Sequence, residues 1–263
     1  MNLNERKMVD LLKELKEVYG LVGIKTEFEH EGARFEEICR LKEITMKAGV
    51  GITLKIGGCE AATGMKMARV IGIERIVAPM IESAFALKKF VHCAHEVFPA
   101  DELEEMGLYV NIETITGYNN YDEMLAAPDF ESLSGVVIGR GDMCGSIGHD
   151  NSYLNSDELL DISRSLFQRT KQKSPKFECV LGGVPSAASF PFLAALGTGL
   201  VDEYESRKIM LKSTEGYTQK EIDGFRKGVE FEILWSTNKK EHYSWISKEE
   251  DGTITNLQKH LGT

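Results

Sequence analysis

The chain opens on a helical pattern. Leu11, Leu12, Leu15, Val18 and Tyr19 recur at helical spacing among lysines and glutamates in MNLNERKMVDLLKELKEVYG, which predicts an N-terminal helix over 1–20. Short β-rich runs and amphipathic stretches then alternate. Strand-like GIKTEFE (23–29) is followed by helical RFEEICRLKEITMKAG (34–49), and ITLKI (52–56) and RIVAPMI (75–81) enclose helical AATGMKMARVIG (61–72). Helical SAFALKKFVHCAHEVF (83–98) leads to LYVNIE (108–113), and helical YDEMLAA (121–127) to the buried strand GVVIG (135–139). SDELLDISRSLFQRTKQ (156–172) starts with a serine N-cap and an acidic first turn. FECVLGG (177–183) and DEYESRKIML (202–211) read as the last strands. The C-terminal extension, 213–263, is helical through EIDGFRKGVEFEILW and then polar and irregular, fit to cap the domain or to reach a neighbouring subunit.

The residues closing successive strands are His30, Lys55, Glu82, Glu113, Asp142, Gly182 and Arg207, separated by 25, 27, 31, 29, 40 and 25 residues. One strand, one helix and two short loops occupy about that length. Regular alternation with buried strands implies parallel β-structure under helices. A chain of 263 residues then predicts one (β/α)8 barrel, a TIM barrel, as a single domain spanning 1–263. Seven such units are legible, and the eighth strand has no clear place.

Composition narrows the partners. A net charge of −10 argues against a nucleic-acid or anionic-membrane surface, each of which needs a basic face. There is no apolar signal core and no stretch of the roughly 18 apolar residues needed to cross a bilayer. Cys39, Cys59, Cys93, Cys144 and Cys179 are scattered, with no CxxC pair, as expected for reduced thiols in a cytoplasmic protein.

In a barrel the carboxyl ends of all strands face one mouth, so Glu27, Glu29, His30, Lys55, Glu82, Glu113, Arg140, Asp142 and Arg207 are expected to converge there. Glu113 and Asp142 end consecutive strands, which lie about 4.8 Å apart. Two carboxylates so placed repel unless a cation sits between them. A divalent ion held by two carboxylates, with water and substrate completing its shell, meets that need. Otherwise Glu113 pairs with a basic residue and Asp142 caps the next helix. Glycines 139, 141, 145 and 148 surround Asp142 in GVVIGRGDMCGSIG and permit close backbone approach by a carboxylate or phosphate oxygen.

His30, three residues after Glu27, is either a general acid or base oriented by that carboxylate or an exposed loop histidine. Lys55, inside an apolar strand, holds a substrate carboxylate, forms a Schiff base, or pairs with Glu29, Glu60 or Glu82. Glu82 orients Lys55 or caps the helix near Ser83, and Arg207 pairs with barrel carboxylates. His92 and His95 read as structural, Trp235 and Trp245 as packing or interface residues, and nothing marks Cys144 as a nucleophile.

These strand ends resemble a known family. IVAPMIES, NIET with Gly117 and Asn120, and VVIGRGDMCGSIG are similar to the corresponding strands of the HpcH/HpaI aldolase and citrate lyase β-subunit family, and EFEHEGARF to its segment bearing a catalytic histidine. The GRGD turn also resembles the metal-binding turn of pyruvate kinases, within the wider phosphoenolpyruvate/pyruvate superfamily. The resemblance covers roughly residues 22–210 and is strongest from 75 to 148. It implies a homo-oligomeric barrel, with an exchanged C-terminal helix, that binds Mg²⁺ or Mn²⁺ through Glu113 and Asp142. The ion would chelate a 2-oxo acid such as pyruvate and stabilise an enolate during C–C cleavage or formation. The resemblance also implies that His30, oriented by Glu27, moves the proton, and that Lys55, Glu82, Arg140, Gly141 and Arg207 contact the small carboxylate substrate. Two departures stand out: Lys55 occupies a position where the family usually has arginine, and no clear counterpart of the family's first strand precedes residue 22. A Schiff-base aldolase using Lys55, a citrate lyase-like CoA-ester lyase and a non-catalytic small-acid-binding barrel are the rival readings.

Overall fold

A computed structural model describes residues 1–197 and 199–261. Helix α1 (Leu3–Tyr19) leads into β1 (Leu21–Glu27), α2 (Phe35–Ala48), β2 (Gly51–Lys55), α3 (Ala62–Ile71) and β3 (Arg75–Ala78). Then come α4 (Ala84–Val97), α5 (Ala100–Glu105), β4 (Gly107–Asn111), α6 (Ile115–Asn119), α7 (Tyr121–Ala126) and β5 (Gly135–Gly139). The chain ends with α8 (Arg140–Ser146), α9 (Asp157–Lys173), β6 (Glu178–Gly182), α10 (Phe190–Leu196), β7 (Glu203–Glu205), β8 (Ile209–Lys212) and α11 (Gln219–His260).

The eight strands close into a barrel in chain order. Strands β1 to β7 are parallel, with Glu27 opposite Lys55 and Gly139 opposite Gly182. The segment 202–211, expected as one strand, is instead two. The chain reverses at residues 206–208, and β8 runs antiparallel to both β7 and β1, with Ile24 opposite Ile209. An antiparallel partner needs only a tight turn, whereas a parallel one needs a crossover of a dozen residues or more. A hairpin therefore supplies the eighth strand that the periodicity does not reveal.

Helix α1 starts with a capping box, Asn2 with Glu5, and ends at Gly20 in the left-handed region. The C-terminal extension also departs from expectation. It stays helical past Trp235 as one 42-residue helix, because its polar stretch contains no proline. Phe225, Phe231 and Trp235 are buried along its first half, and Gly224 lies against the Tyr19 ring. Tyr243 still touches the barrel side through Glu37 and Arg34. From Ser244 to Leu261 every described residue is exposed.

The main core fills the space between strands and helices. Inside the barrel an apolar waist of Val77, Tyr109, Val137, Val180 and Met210 separates two polar ends. At the amino ends of the strands, Arg75 donates to both oxygens of Glu203 and the Tyr109 hydroxyl donates to Glu178. No described helix is long and apolar enough to cross a membrane.

Candidate active site at the barrel mouth

Strand β4 turns Tyr109 and Asn111 into the barrel, and Glu113 continues that alternation just beyond its end. Glu113 is buried, 1% exposed. One carboxylate oxygen accepts the Met80 backbone N–H at 3.0 Å; the other accepts the Asn111 amide at 2.7 Å and the Lys55 ammonium at 3.4 Å. Met80 has φ of 51°, a left-handed conformation rare for a side chain with a Cβ. That local strain, of order 1–3 kcal/mol, aims its N–H at the carboxylate. Burial pushes the Glu113 carboxyl above its ordinary range; Lys55 opposes this, and Asp142 adds to it.

Lys55 ends β2, and its ammonium lies 3.4 Å from Glu113 and 4.0 Å from Asp142. The cation between the two carboxylates is thus a side chain of this chain. Asp142 sits in the first turn of α8, about half exposed. Glu27 is the register partner of Lys55 across β1 and β2. Glu27, Lys55, Glu113 and Asp142 therefore converge as expected.

Three further members were not singled out from the sequence, although Asn111 opens the NIET stretch. Lys25 and Glu205 form an ion pair inside the barrel. Burial opposes the Lys25 charge, but Glu205, with Glu27 and Glu113 behind it, raises its pKa overall. Lys25 shares the inward face of β1 with Gly23 and Glu27, so period-two alternation was the signal available. Glu205 depended on locating the hairpin. Asn111 is 2% exposed. Because its amide N–H₂ donates to a carboxylate, which can only accept, its orientation is fixed. Its Oδ1 is left buried with no hydrogen-bond partner among the described residues, a cost of about 1–3 kcal/mol unless a ligand satisfies it.

Other expected residues lie elsewhere. His30 is exposed in the β1–α2 loop, and among the described residues no hydrogen bond or ion pair joins it to Glu27 or any other group. Glu29 is exposed and lies over Gly57, where a Cβ would meet its Oε1 at 2.5 Å. Glu82 accepts from the Thr114 hydroxyl at 2.6 Å and, through its carbonyl, from Asn120; it braces the segment after Glu113. Gly141 is half-buried beside Asp142. Arg207 is mostly exposed at the hairpin tip, 3.4 Å from Glu31.

Arg140 requires a correction. It is fully buried and donates to the carbonyls of Gly182, Gly183 and Leu154 and to Asn155 Oδ1. Its guanidinium lies over the Phe192 ring. Burial lowers its pKa to about 10. Its donors tie the end of β5 to the end of β6 and to residues 154–155, so four of its five N–H groups are spent on buried acceptors of the fold.

The donor set suits a hard divalent ion. With all four carboxylates ionised, Glu27, Glu113, Asp142 and Glu205 face Lys25 and Lys55, leaving two negative charges. No described group of three His, Cys, Asp or Glu side chains forms a ready-made cage, and magnesium-type sites are commonly built from one or two carboxylates plus water and substrate oxygens. The orphaned Asn111 Oδ1 beside Glu113 agrees with such an occupant. A groove of about 260 Å³ outside the barrel, lined by Glu5, Arg40, Trp235 and Tyr243, has no comparable unmet demand. Within it Arg40 pairs with Glu5, Lys239 lies 3.5 Å from Glu37, and the Tyr243 hydroxyl donates to Glu37.

A closed barrel with an acid–base cluster at the carboxyl ends of its strands is the architecture of a small-molecule enzyme. Comparison with known proteins agrees. The profile described as HpcH/HpaI aldolase/citrate lyase matches residues 30–195, and the chain belongs to that family. Among solved structures it is similar to an HpcH/HpaI aldolase from Desulfitobacterium hafniense DCB-2, with 15% identity and a TM-score of 0.57, covering 74% of this chain and 88% of that one. It also resembles an HpcH/HpaI aldolase/citrate lyase family protein from Burkholderia cenocepacia J2315, at 13% identity and a TM-score of 0.54, covering 68% and 86%. The citrate synthase SbnG aligns at 13% identity and a TM-score of 0.60 over 89% of this chain and 90% of its own. No curated protein matches in sequence.

Proposed function

We propose that the chain is a carbon–carbon lyase of the aldolase type. It acts on a 2-oxo acid such as pyruvate, or a related carboxylate, through an enolate. The observation that carries this reading is the cluster of Glu113, Asp142 and Lys55 at the mouth. Glu113 and Asp142 would hold Mg²⁺ or Mn²⁺, which when bound supplies Lewis-acid stabilisation of enolate charge. Asn111 and the Met80 N–H fix Glu113 in place. Lys55 provides positive charge for the substrate carboxylate, as a compact ammonium where an arginine would offer a fork. The β1–α2 loop places His30 at the surface beyond Glu27, so we assign it the proton transfer only with substrate bound. The substrate also meets the backbone at Gly141, with Glu82 bracing the floor.

We further propose a homo-oligomer built through the far half of α11, where Trp245, Ile246, Ile254 and Leu257 are exposed. Five free cysteines favour a reducing, cytoplasmic setting. The net charge favours neither a nucleic acid nor a membrane as partner.

Proton–deuterium exchange at the pyruvate methyl group tests enolate formation without knowledge of the aldehyde partner. With Mg²⁺ or Mn²⁺ present, exchange is expected, and Glu113→Gln should slow it by about 10²-fold or more. No exchange with pyruvate, and no cleavage of any hydroxy-oxo acid, overturns the proposal. Borohydride trapping with pyruvate should leave no adduct on Lys55, which separates this mechanism from a Schiff-base aldolase.

A further inference from the structure

We propose that Lys55 is a built-in counter-cation that must leave Glu113 and Asp142 before a divalent ion binds there, and that the substrate carboxylate receives it. Metal and 2-oxo acid then bind cooperatively. The inference rests on the lyase reading above and adds to it a coupling between its two ligands.

Among the described residues, Lys55 is the cation in contact with both carboxylates. Lys25 is committed to Glu205, and Arg140 to carbonyl oxygens behind the mouth. An ammonium and a divalent ion cannot share the same two carboxylates without like-charge repulsion. Lys55 is anchored at the last position of β2, so only its flexible four-carbon stem can give way. Its cross-strand neighbour Glu27 is one place for the charge to go; an incoming substrate carboxylate is a better one, because it adds a new partner.

Asn111 supplies an independent observation. Its Oδ1 is buried and has no donor among the described residues, while Lys55 donates to the same Glu113 oxygen as the Asn111 amide. Lys55 therefore balances charge without satisfying the site, as expected of a placeholder. A planar guanidinium, with five donors in a rigid fork, is less suited to withdraw and re-aim.

The test is a Mn²⁺ titration, followed by the free-ion electron paramagnetic resonance signal, with and without pyruvate. Wild type is expected to bind Mn²⁺ weakly alone and about tenfold or more tightly with pyruvate. Lys55→Met should bind Mn²⁺ about tenfold tighter than wild type without pyruvate, and pyruvate should add less than it adds to wild type, since the part of the coupling that passes through Lys55 is lost. Lys55→Arg retains the charge and should stay weak. Lys55→Gln is read in parallel, so the result does not depend on one variant folding. Equal or weaker Mn²⁺ binding by both neutral variants, or a wild-type affinity that ignores pyruvate, overturns the proposal. Normal linkage with neither methyl exchange nor cleavage of any hydroxy-oxo acid sinks the lyase reading instead, and exchange without linkage sinks this one.

Discussion

Glu113 lies across Gly139. A Cβ at position 139 would stand 2.4 Å from Glu113 Oε2 and 2.9 Å from Glu113 Cβ, closer than real side chains approach. The backbone at Gly139, with φ of −84°, would itself admit alanine. Glycine is needed here to make room for the carboxylate. Gly139→Ala should displace Glu113 from the Met80 N–H and the Asn111 amide. Pyruvate methyl exchange is expected to fall by about 10²-fold, at a stability cost of about 1–3 kcal/mol. Full exchange activity in this variant would remove Glu113 from the mechanism.

Arg140 should behave as a structural residue. Arg140→Met leaves three carbonyls and the Asn155 amide oxygen without their donor. A loss of at least about 3 kcal/mol is expected from unsatisfied buried acceptors, read by urea unfolding. Arg140→Lys should also unfold early, since an ammonium cannot span those acceptors. A raised KM at unchanged stability would mark Arg140 as a substrate ligand after all.

Glu203 gives stability a pH dependence. Burial pushes its carboxyl from 4.5 up to about 7, Arg75 offsets only part of that, and Glu178 adds to it. The native state therefore binds more protons than the unfolded chain between those values. Stability from this group falls as pH rises from about 4.5 through about 7 and is level above. The size is about 3 kcal/mol, to order of magnitude. Glu203→Gln should lose this slope, so its stability relative to wild type should grow from pH 5 to pH 8. Parallel urea-unfolding curves across that range would refute the assignment.

Removing residues 245–263 tests the role of the far half of α11. The deleted stretch is exposed wherever it is described, while Trp235, Asn238 and Tyr243 keep their contacts. The melting temperature is expected to move by no more than about 2–4 °C, and the mass from light scattering should drop to that of a smaller assembly. An unchanged assembly would place the subunit interface elsewhere.

Period-two and period-3.6 patterns depend on burial alone, so most helices and parallel strands were legible in order and nearly in extent. The motifs around Glu113 and Asp142 were legible for the same reason: a strand end in a regular barrel has only one place to point. Residues 202–211 read as one strand because the two arms of the hairpin are short and joined by only three residues, and periodicity cannot report a reversal of direction. Residues 244–260 read as irregular because, with no face buried against this barrel, they carry no apolar stripe that faces it.

What the sequence determined by itself was the alternation, the barrel and the charged residues at its rim, since each follows from local pattern and spacing. Only the tertiary structure decided which charges meet. It set Lys55 between Glu113 and Asp142, drew in Lys25 and Glu205 from distant strands, and buried Arg140 among carbonyls. Such pairings depend on register, side-chain reach and the space left by glycines, and no local stretch of sequence encodes those three together.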